Sequence, residues 1–335
     1  MKIEEVKNVI TIGASAGGIS AVTKLLESLP EDLDAAVFIV IHISKVAIEK
    51  NILGLLNKKS KLEVVIPQNE TKIQNNKVYL APVDHHMMLS NDTILITRGA
   101  KENHWRPSID VLFRTAAAAY STCVTGIILT GLLDDGTSGM IAIKNAGGTC
   151  IVQEPEEAEY ADMPQNVINN IEVDYRVSII DMQYILSDLY SRGTCVKGEV
   201  PANLKLESEI TLRMSSNYEQ TSALGTTTIF TCPECGGVLT KIEEDGNNRY
   251  RCFTGHVYSE DVLRSEYAKK TEDALWVAIR MMEERRNFIS GLEKRMQIDA
   301  HVSDDRKKKS DELKVHIERL KEVLKDIGDS GIIKL

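Results

Sequence analysis

The chain has 335 residues, enough for about two domains and a sizeable core, with ordinary hydrophobic (43%) and charged (27%) fractions. No stretch approaches the roughly 20 apolar residues of a membrane span, and the N-terminal MKIEEVKNVI lacks the basic character of a signal peptide. With a net charge of −9, these features exclude a membrane-inserted protein and a sequence-independent nucleic-acid binder.

Strand-like and helix-like segments alternate over the first 190 residues. The predicted strands are VITI (9–12), AAVFIVIH (35–42), KVYLAP (77–82), TILITR (93–98), GIILT (126–130) and CIVQ (150–153). The predicted helices lie at 19–29, 108–120 and 138–146. KVYLAP and TILITR are expected to pair around a polar turn. Strands that alternate with helices predict an α/β fold with a mainly parallel sheet, here assigned to residues 1–192.

The second half of the chain has a different organisation. Residues 193–228 lack periodicity and predict a linker, 229–259 form a compact Cys-rich module, and 260–330 predict a helical hairpin or coiled coil. The residues that carry the helical repeat are Leu275, Met282, Ile289, Met296, Leu313, Ile317, Leu320, Leu324 and Ile327. The charged segment DDRKKKSD (304–311) is expected to connect the two helices.

A G-x-S-x-G sequence centred on Ser15 follows the first predicted strand. This spacing is typical of a nucleophile elbow, a tight strand-to-helix turn that exposes a serine hydroxyl near helix N–H groups. A phosphate-binding loop fits less well, because Ser15 occupies the position of a glycine in the dinucleotide motif and no G-K-[ST] follows. Taken alone, the five-residue match favours a structural turn.

Two further groups are expected at the same edge of the sheet. His42 ends the second strand, and Asp134 and Asp135 follow GIILT. The carboxyl ends of parallel strands lie together, so Ser15, His42 and one of the two aspartates predict a Ser-His-Asp triad. Spacing alone does not choose between Asp134 and Asp135.

Four other polar residues have simpler explanations. His85 and His86 suit a hairpin, although they would also reach the crevice, and His104 suits either substrate contact or solvent exposure. Asp110, in the first turn of a helix, is expected to complement the helix dipole.

Several longer segments make a resemblance specific. IGASAGG, IVIH, VYLAPVDHHM, RPSIDVLF, GIILTGLLDDGTSGM and MPQNVI resemble, in order over about residues 8–190, the catalytic domain of the chemotaxis protein-glutamate methylesterase CheB. The resemblance implies a doubly wound sheet, hydrolysis of glutamate γ-methyl esters, and glutamine deamidation as a second reaction. It implies Ser15 as nucleophile, His42 as base, Asp135 as the third member, and no cofactor for catalysis. The implied partners are methylated chemoreceptors or related signalling proteins and a methyltransferase.

The chain departs from this family at several positions. Ala16 replaces a polar residue, and Leu132 and Leu133 replace a methionine and a glycine. The backbone N–H groups near Ala16 and Leu132 are still expected to serve a developing oxyanion, because they do not depend on the side chain. The catalytic pattern begins about eight residues into the chain, so we expect a form without a receiver domain. A non-catalytic signalling scaffold with the esterase fold is the alternative function.

The cysteines predict a metal site in the Cys-rich module. Cys232, Cys235, Cys252 and His256 have the ligand types and spacing of one structural zinc in a zinc-ribbon-like module. Three scattered cysteines, Cys123, Cys150 and Cys195, favour a reduced, cytoplasmic protein without a disulfide framework.

The C-terminal helices need a partner surface, because their apolar residues repeat every seven positions. The partner is expected to be the other helix of the hairpin, a second subunit or a receptor bundle. Removal of everything after the linker is expected to leave hydrolysis of a small ester intact.

Overall fold

A computed structural model describes residues 6–43, 46–191, 195–214, 216–244, 247–295 and 300–329. The chain divides into two compact units, Met1–Ser259 and Glu260–Leu335. The strands are β1 (Val9–Ala14), β2 (Ala36–Ile41), β3 (Glu63–Val65), β4 (Thr71–Lys72), β5 (Lys77–Leu80), β6 (His86–Ser90), β7 (Thr93–Thr97), β8 (Val124–Ile128), β9 (Thr149–Gln153), β10 (Tyr175–Val177), β11 (Thr226–Thr231), β12 (Val238–Glu244), β13 (Asn247–Cys252) and β14 (Val257–Ser259). The helices are α1 (Gly18–Ser28), α2 (Val46–Lys59), α3 (Ile109–Tyr120), α4 (Thr137–Asn145), α5 (Asp162–Asn170), α6 (Ile179–Ser191), α7 (Ala202–Arg213), α8 (Tyr218–Leu224), α9 (Glu260–Arg295) and α10 (Ala300–Asp329).

A seven-stranded parallel sheet forms the centre of the first unit. Its strand order is β10-β9-β8-β1-β2-β5-β3, and every neighbouring pair is parallel. Strand β1 lies in the middle of the sheet. Strands β2, β5 and β3 lie on one side of it, and the later strands β8, β9 and β10 lie on the other side. The order therefore reverses between β1 and β8, which is where ligands bind in doubly wound sheets. The predicted fold class is confirmed.

Helices cover both faces of this sheet. One apolar cluster packs α1, α2 and α6 on one face, and a second packs α3, α4 and α5 on the other. All residues of β1, β2 and β8 are buried, which explains why these strands appear in the sequence as continuous apolar segments. In α1 the buried residues recur with helical spacing and face the sheet.

The predicted pairing of KVYLAP with TILITR is wrong. Strand β5 joins the central sheet between β2 and β3, whereas β7 pairs antiparallel with β6 in a separate three-stranded sheet with β4. The β6–β7 hairpin turns at Asn91-Asp92, and Asn91 has φ 52°, a conformation that asparagine tolerates well. The hairpin partner is the segment HMMLS, which lies between the two strands that were expected to pair.

The segment predicted as a linker contains two helices, α7 and α8. In α7 the buried residues include Leu204 and Ile210 but also Glu207 and Ser208. Because half of the buried face is polar, the apolar periodicity that reveals a helix in a sequence is missing. Helix α7 packs against α3, and Leu204 belongs to the apolar cluster on that face of the sheet.

A cluster of five buried charged side chains joins α7 to the Cys-rich module and to α3. Arg114 on α3 donates two hydrogen bonds to Glu102, at 2.8 and 2.6 Å, and Arg249 on β13 donates two to Glu207 on α7, at 2.7 and 2.8 Å. Arg251 lies 3.6 Å from both carboxylates. All five side chains are at most 3% exposed. Buried charges are tolerated only when they are paired, so this cluster fastens the module to the unit that contains the parallel sheet.

The expectation that Cys123 and Cys195 remain unpaired is also wrong. A disulfide joins them, with 5.6 Å between their Cα atoms. The chain around Cys195 lies against the end of α3, where Thr122 donates to the carbonyl of Val196 at 2.7 Å and Ser121 accepts from the amide of Gly198 at 2.8 Å. Because 72 residues separate the two cysteines, their spacing in the sequence did not indicate that they lie in contact.

The second unit consists of α9 and α10, which pack against each other. The predicted repeat residues within the described range are buried or half-buried, whereas Met296 lies outside the described residues. The segment 304–311, expected as the connection, belongs to α10, where Lys309 pairs with Asp305 one turn away. Within the described ranges, we find no helix with the length and apolar character needed to cross a bilayer.

Candidate active site and metal centre

Ser15 lies in the tight turn between β1 and α1. The amide of Ser15 donates to the carbonyl of Thr130 at 3.0 Å, and the carbonyl of Ser15 accepts from the amide of Gly18 at 2.9 Å. Gly17, the N-cap of α1, has φ 73°, a conformation that glycine adopts without strain. The turn therefore holds the serine backbone from both sides and places its side chain at the carboxyl edge of the sheet.

His42 and Asp135 lie beside Ser15, at the ends of the two strands that flank β1. The Nδ1 atom of His42 is 3.2 Å from Ser15 Oγ, and its Nε2 atom is 2.9 Å from Asp135 Oδ2. The side chains of His42 and Asp135 are each only 1% exposed. The carboxylate can only accept, so Nε2 carries the proton and the Nδ1 lone pair faces the serine hydroxyl. The imidazole thus uses Nδ1 toward the serine, the reverse of the chymotrypsin-like arrangement.

Asp135 is held by the N-terminus of α3. Its Oδ1 accepts from the Ser108 hydroxyl at 2.9 Å and from the amide of Asp110 at 3.3 Å, and its Oδ2 accepts from the amide of Ile109 at 2.7 Å. Burial raises the pKa of Asp135, but the hydrogen bonds from His42, Ile109 and Ser108 outweigh it and hold the pKa below its usual value. The group is therefore an ionised carboxylate in a fixed orientation.

Asp110 has a larger role than complementing its own helix. Its Oδ1 accepts from the amides of Gly136, at 2.9 Å, and Gly139, at 2.7 Å, so it caps α4. Burial, with the nearby charge of Asp135, raises the pKa of Asp110 well above its usual value. Asp135 thus holds the N-terminus of α3, which contains Asp110, and Asp110 in turn holds the N-terminus of α4, which follows Asp135. The sequence did not reveal this exchange, because each aspartate taken alone looks like an ordinary helix-start residue.

Sequence reasoning also missed Trp105. Its ring stacks on the imidazole of His42, with 3.9 Å between the ring centroids and 6° between the planes. Trp105 also exchanges two backbone hydrogen bonds with Glu102, at 2.8 and 3.3 Å. The imidazole is therefore fixed at its edge by Asp135 and at its face by Trp105.

The remaining sequence candidates support the site or lie beside it. His86 is buried in β6, where its Nδ1 accepts from the amide of Ser108 at 3.3 Å and its Nε2 donates to the carbonyl of Ala100 at 2.9 Å. Burial lowers the pKa of His86 and keeps it neutral. His85 is 3.0 Å from the carbonyl of Val83, and the ring of His104 packs edge-on against Tyr258 of the Cys-rich module.

The loop from Gly131 to Asp135 carries the departures from the family pattern. Leu133 adopts φ 67°, the left-handed conformation suited to the glycine it replaces, and its carbonyl accepts from Asn166 at 2.8 Å. Such a conformation costs a non-glycine residue about 1–2 kcal/mol. Leu132 is 45% exposed. Gly131 is required for space, because a Cβ there would lie 2.8 Å from the Cβ of Ser15 and would also overlap Met163.

The four predicted metal ligands of the Cys-rich module lie together. The ligand atoms of Cys232, Cys235, Cys252 and His256 are all within 4.8 Å of one another. Cys235 Sγ is 3.7 Å from Cys252 Sγ, and His256 Nδ1 is 3.5 Å from Cys252 Sγ. A tetrahedral zinc with bonds of about 2.3 Å to sulfur requires edges of about 3.8 Å. The donor set and its spacing therefore fit zinc.

This arrangement has the parts needed for acyl transfer. It supplies a hydroxyl, a base whose lone pair faces that hydroxyl, a carboxylate that orients the base, and the N-terminus of α1 beside the hydroxyl.

Comparisons with known proteins agree with this geometry. The chain is 37% identical over 171 residues to a putative protein-glutamate methylesterase/protein-glutamine glutaminase of Leptospira interrogans, an alignment that covers 51% of this chain and 88% of the relative. It is 34% identical over 178 residues to protein-glutamate methylesterase/protein-glutamine glutaminase 2 of Methanosarcina mazei, which covers 51% of this chain and 48% of that protein.

A solved structure and a family model cover the same region. The crystal structure of the Thermotoga maritima CheB methylesterase catalytic domain superposes with a TM-score of 0.52 at 28% identity, covering 54% of this chain and 98% of that domain. The family model described as CheB methylesterase matches residues 10–186, more than half of the chain. Residues 10–186 include Ser15, His42 and Asp135, and the chain belongs to the CheB methylesterase family.

Proposed function

We propose that the protein hydrolyses glutamate γ-methyl esters on methylated chemoreceptors or related signalling proteins and deamidates glutamine at such sites. The observation that carries the proposal is the continuous set of contacts Ser15–His42–Asp135 at the switch point of the sheet. Membership of the CheB methylesterase family supports the substrate class, since relatives are named protein-glutamate methylesterase/protein-glutamine glutaminase.

In the proposed mechanism, Ser15 Oγ attacks the ester carbonyl carbon while His42 Nδ1 accepts the hydroxyl proton. The tetrahedral intermediate then collapses: the bond to the methoxy oxygen breaks, and the imidazolium returns the proton to that oxygen, so that methanol leaves. Water, deprotonated by His42, then attacks the acyl-enzyme. The bond between the acyl carbon and Ser15 Oγ breaks, the imidazolium returns the proton to Oγ, and the glutamate side chain leaves as the acid, which ionises to the carboxylate. Asp135 keeps the Nδ1 lone pair directed at the serine and stabilises the imidazolium in both steps.

The developing oxyanion requires donors that are already in place. We assign this role to the backbone N–H groups near Ala16 and Leu132, where the chain enters α1 and where the loop after β8 approaches Ser15. Backbone donors explain how the substitutions at these two positions are compatible with activity. The side chain of Leu132 is 45% exposed, and we propose that it contacts the substrate away from the reacting atoms.

Product analysis tests the proposal directly. Incubation with a methylated chemoreceptor signalling domain should release methanol, and incubation with the same domain carrying glutamine at the methylation positions should release ammonia. The Ser15→Ala chain serves as the background for both assays. Release of neither product above that background would exclude the proposed activity.

We further propose that Cys232, Cys235, Cys252 and His256 hold one structural zinc. Four protein ligands leave no open coordination position, and a module of about thirty residues buries too little apolar surface to fold alone. Zinc bound here would supply folding free energy to the module, because the unfolded chain has no preformed site.

Metal analysis should therefore find one zinc per chain in the purified protein. Cys252→Ser should abolish stoichiometric zinc, whereas Cys150→Ser, which changes a buried cysteine in β9, should retain it. Inductively coupled plasma mass spectrometry after extensive dialysis measures both. A wild-type chain without zinc would contradict the ligand assignment.

Partners and location complete the proposal. We propose a methyltransferase as the enzyme of opposing activity, and self-association through the hairpin of α9 and α10, whose exposed apolar residues include Trp276, Met281 and Phe288. Sedimentation at several protein concentrations would detect self-association. A cytoplasmic location is proposed because three of the four metal ligands are cysteines that must remain reduced, and under the same conditions we expect the Cys123–Cys195 pair to be reduced as well.

A further inference from the structure

Strand β14 of the Cys-rich module pairs with the loop that leads into the active site. Glu102 and Val257 form a parallel bridge, in which the amide of Asn103 donates to the carbonyl of Val257 at 2.9 Å. The amide of Val257 donates in turn to the carbonyl of Lys101 at 3.4 Å. Val257 directly follows His256, so the metal site and the active-site loop are joined through one short strand.

The side chain of Asn103 connects β14 to the carboxylate of Asp110, which lies beside Asp135. Its Oδ1 accepts from the amide of Ser259 in β14 at 2.9 Å, and its Nδ2 donates to Asp110 Oδ2 at 3.1 Å. Asp110 accepts from the amide of Gly136, the residue after Asp135. Asn103 is 4% exposed, so no part of this chain of hydrogen bonds competes with bulk water.

The same loop sets the plane of the imidazole. Glu102 and Trp105 are bound to each other through both backbone hydrogen bonds, and Trp105 stacks on His42. Glu102 is also paired with Arg114 and lies 3.6 Å from Arg251 on β13 of the module. The loop is therefore fixed to the module by its backbone through Val257 and by its side chains through Glu102 and Asn103.

We propose that the Cys-rich module is a positioning element of the esterase site. Strand β14 acts through Asn103 on the Asp110–Asp135 pair and through the Glu102–Trp105 turn on the ring of His42. Folding of the module around its metal would thus set the turnover number. This inference rests on the proposed function for its catalytic readout, and Asn103 is a positioning residue, because it touches neither the substrate nor the reacting atoms.

The first test removes the side chain of Asn103 without straining the backbone. Asn103 has φ 48°, so glycine is the substitution that keeps the conformation while deleting both side-chain hydrogen bonds. Asn91→Gly is the matched control, since Asn91 has φ 52° and lies exposed in the β6–β7 turn. The substrate is N-acetylglutamate γ-methyl ester, which is too small to require docking of a receptor.

Asn103→Gly should lower kcat about 10- to 100-fold with an unchanged KM, because a misplaced base and carboxylate affect the reacting geometry and not ground-state binding. It should retain one zinc per chain. Asn91→Gly should keep the wild-type kcat. A kcat for Asn103→Gly within threefold of that of Asn91→Gly would overturn the proposal.

The second test follows the site without using activity. The chain has two tryptophans, Trp105 and Trp276, so Trp276→Phe makes Trp105 the only indole reporter. In the zinc-loaded full-length chain, removal of the metal by a chelator should move the emission of Trp105 to longer wavelength as its stack on His42 opens. Unchanged emission after verified loss of zinc would overturn the link between metal and active site. This arm remains decisive if the ester assay fails, so failure of the proposed function is distinguishable from failure of the positioning role.

Discussion

Ser15→Ala should reduce the release of methanol from methylated receptor by about 10⁴- to 10⁶-fold, the range found when a triad serine is removed. The hydroxyl that we propose to form the acyl-enzyme is lost, whereas the backbone contacts of the turn to Thr130 and Gly18 remain. The midpoint of thermal unfolding should therefore stay close to that of the wild type. Single-turnover assays of methanol release, together with a thermal melt, measure both quantities.

Ser28→Ala is the matched control for this substitution. Ser28 is at the other end of α1, where its hydroxyl donates to the carbonyl of Leu25 at 2.7 Å. It should keep full activity, which separates a general effect of losing a hydroxyl on α1 from loss of the nucleophile. Ester hydrolysis by Ser15→Ala at the wild-type rate would reject the nucleophile assignment.

Asp135→Asn should lower kcat by about 10⁴-fold, whereas Asp134→Asn should change it only a few-fold. Both oxygens of Asp135 accept hydrogen bonds, from His42, Ser108 and the first amides of α3. An asparagine must direct its NH₂ group at some of these donors and cannot stabilise the imidazolium. The carbonyl of Asp134 accepts from the amide of Thr137, and this backbone contact survives in the Asn variant.

The lowered pKa of Asp135 predicts that the free energy of unfolding depends on pH. The folded-state pKa of Asp135 lies below its usual value, so ionisation of this group stabilises the fold above the unfolded pKa of about 3.9. The contribution is lost as the pH falls through the folded pKa. The difference in unfolding free energy between wild type and Asp135→Asn should therefore narrow below about pH 4. Denaturant titrations at several pH values measure it, and a larger loss of activity in Asp134→Asn would contradict the choice of Asp135.

The sequence predicted best those features that depend only on a single strand and on the residues at its carboxyl end. Buried parallel strands are continuous apolar segments, and their shared direction places Ser15, His42 and Asp135 at one edge without any knowledge of packing. The choice between Asp134 and Asp135 came from the family resemblance, because two adjacent residues differ in spacing by too little to decide. In the structure it is Asp135 whose carboxylate is bound to His42.

Contacts between residues that are far apart in the sequence were not predictable from its hydrophobic pattern. Asn103 and Ser259 are 156 residues apart, and a single side-chain amide leaves no periodic signal. Helix α7 was missed because its buried face includes Glu207, which is compatible with the interior only beside Arg249 of a strand that follows much later. A charged residue appears exposed in a sequence until its partner is known.

The buried charged cluster also determines where the chain can be cut. A fragment that ends at residue 186, where the family match ends, would keep Glu102 and Arg114 but lose Glu207, Arg249 and Arg251. The surviving pair and the apolar surface that Leu204 covers would then face water, and such a fragment is expected to aggregate when expressed. The smallest soluble esterase fragment of this protein should accordingly extend to Ser259, beyond the region that it shares with its relatives. This replaces the expectation from the sequence that a chain cut after the linker, at residue 228, would still hydrolyse a small ester.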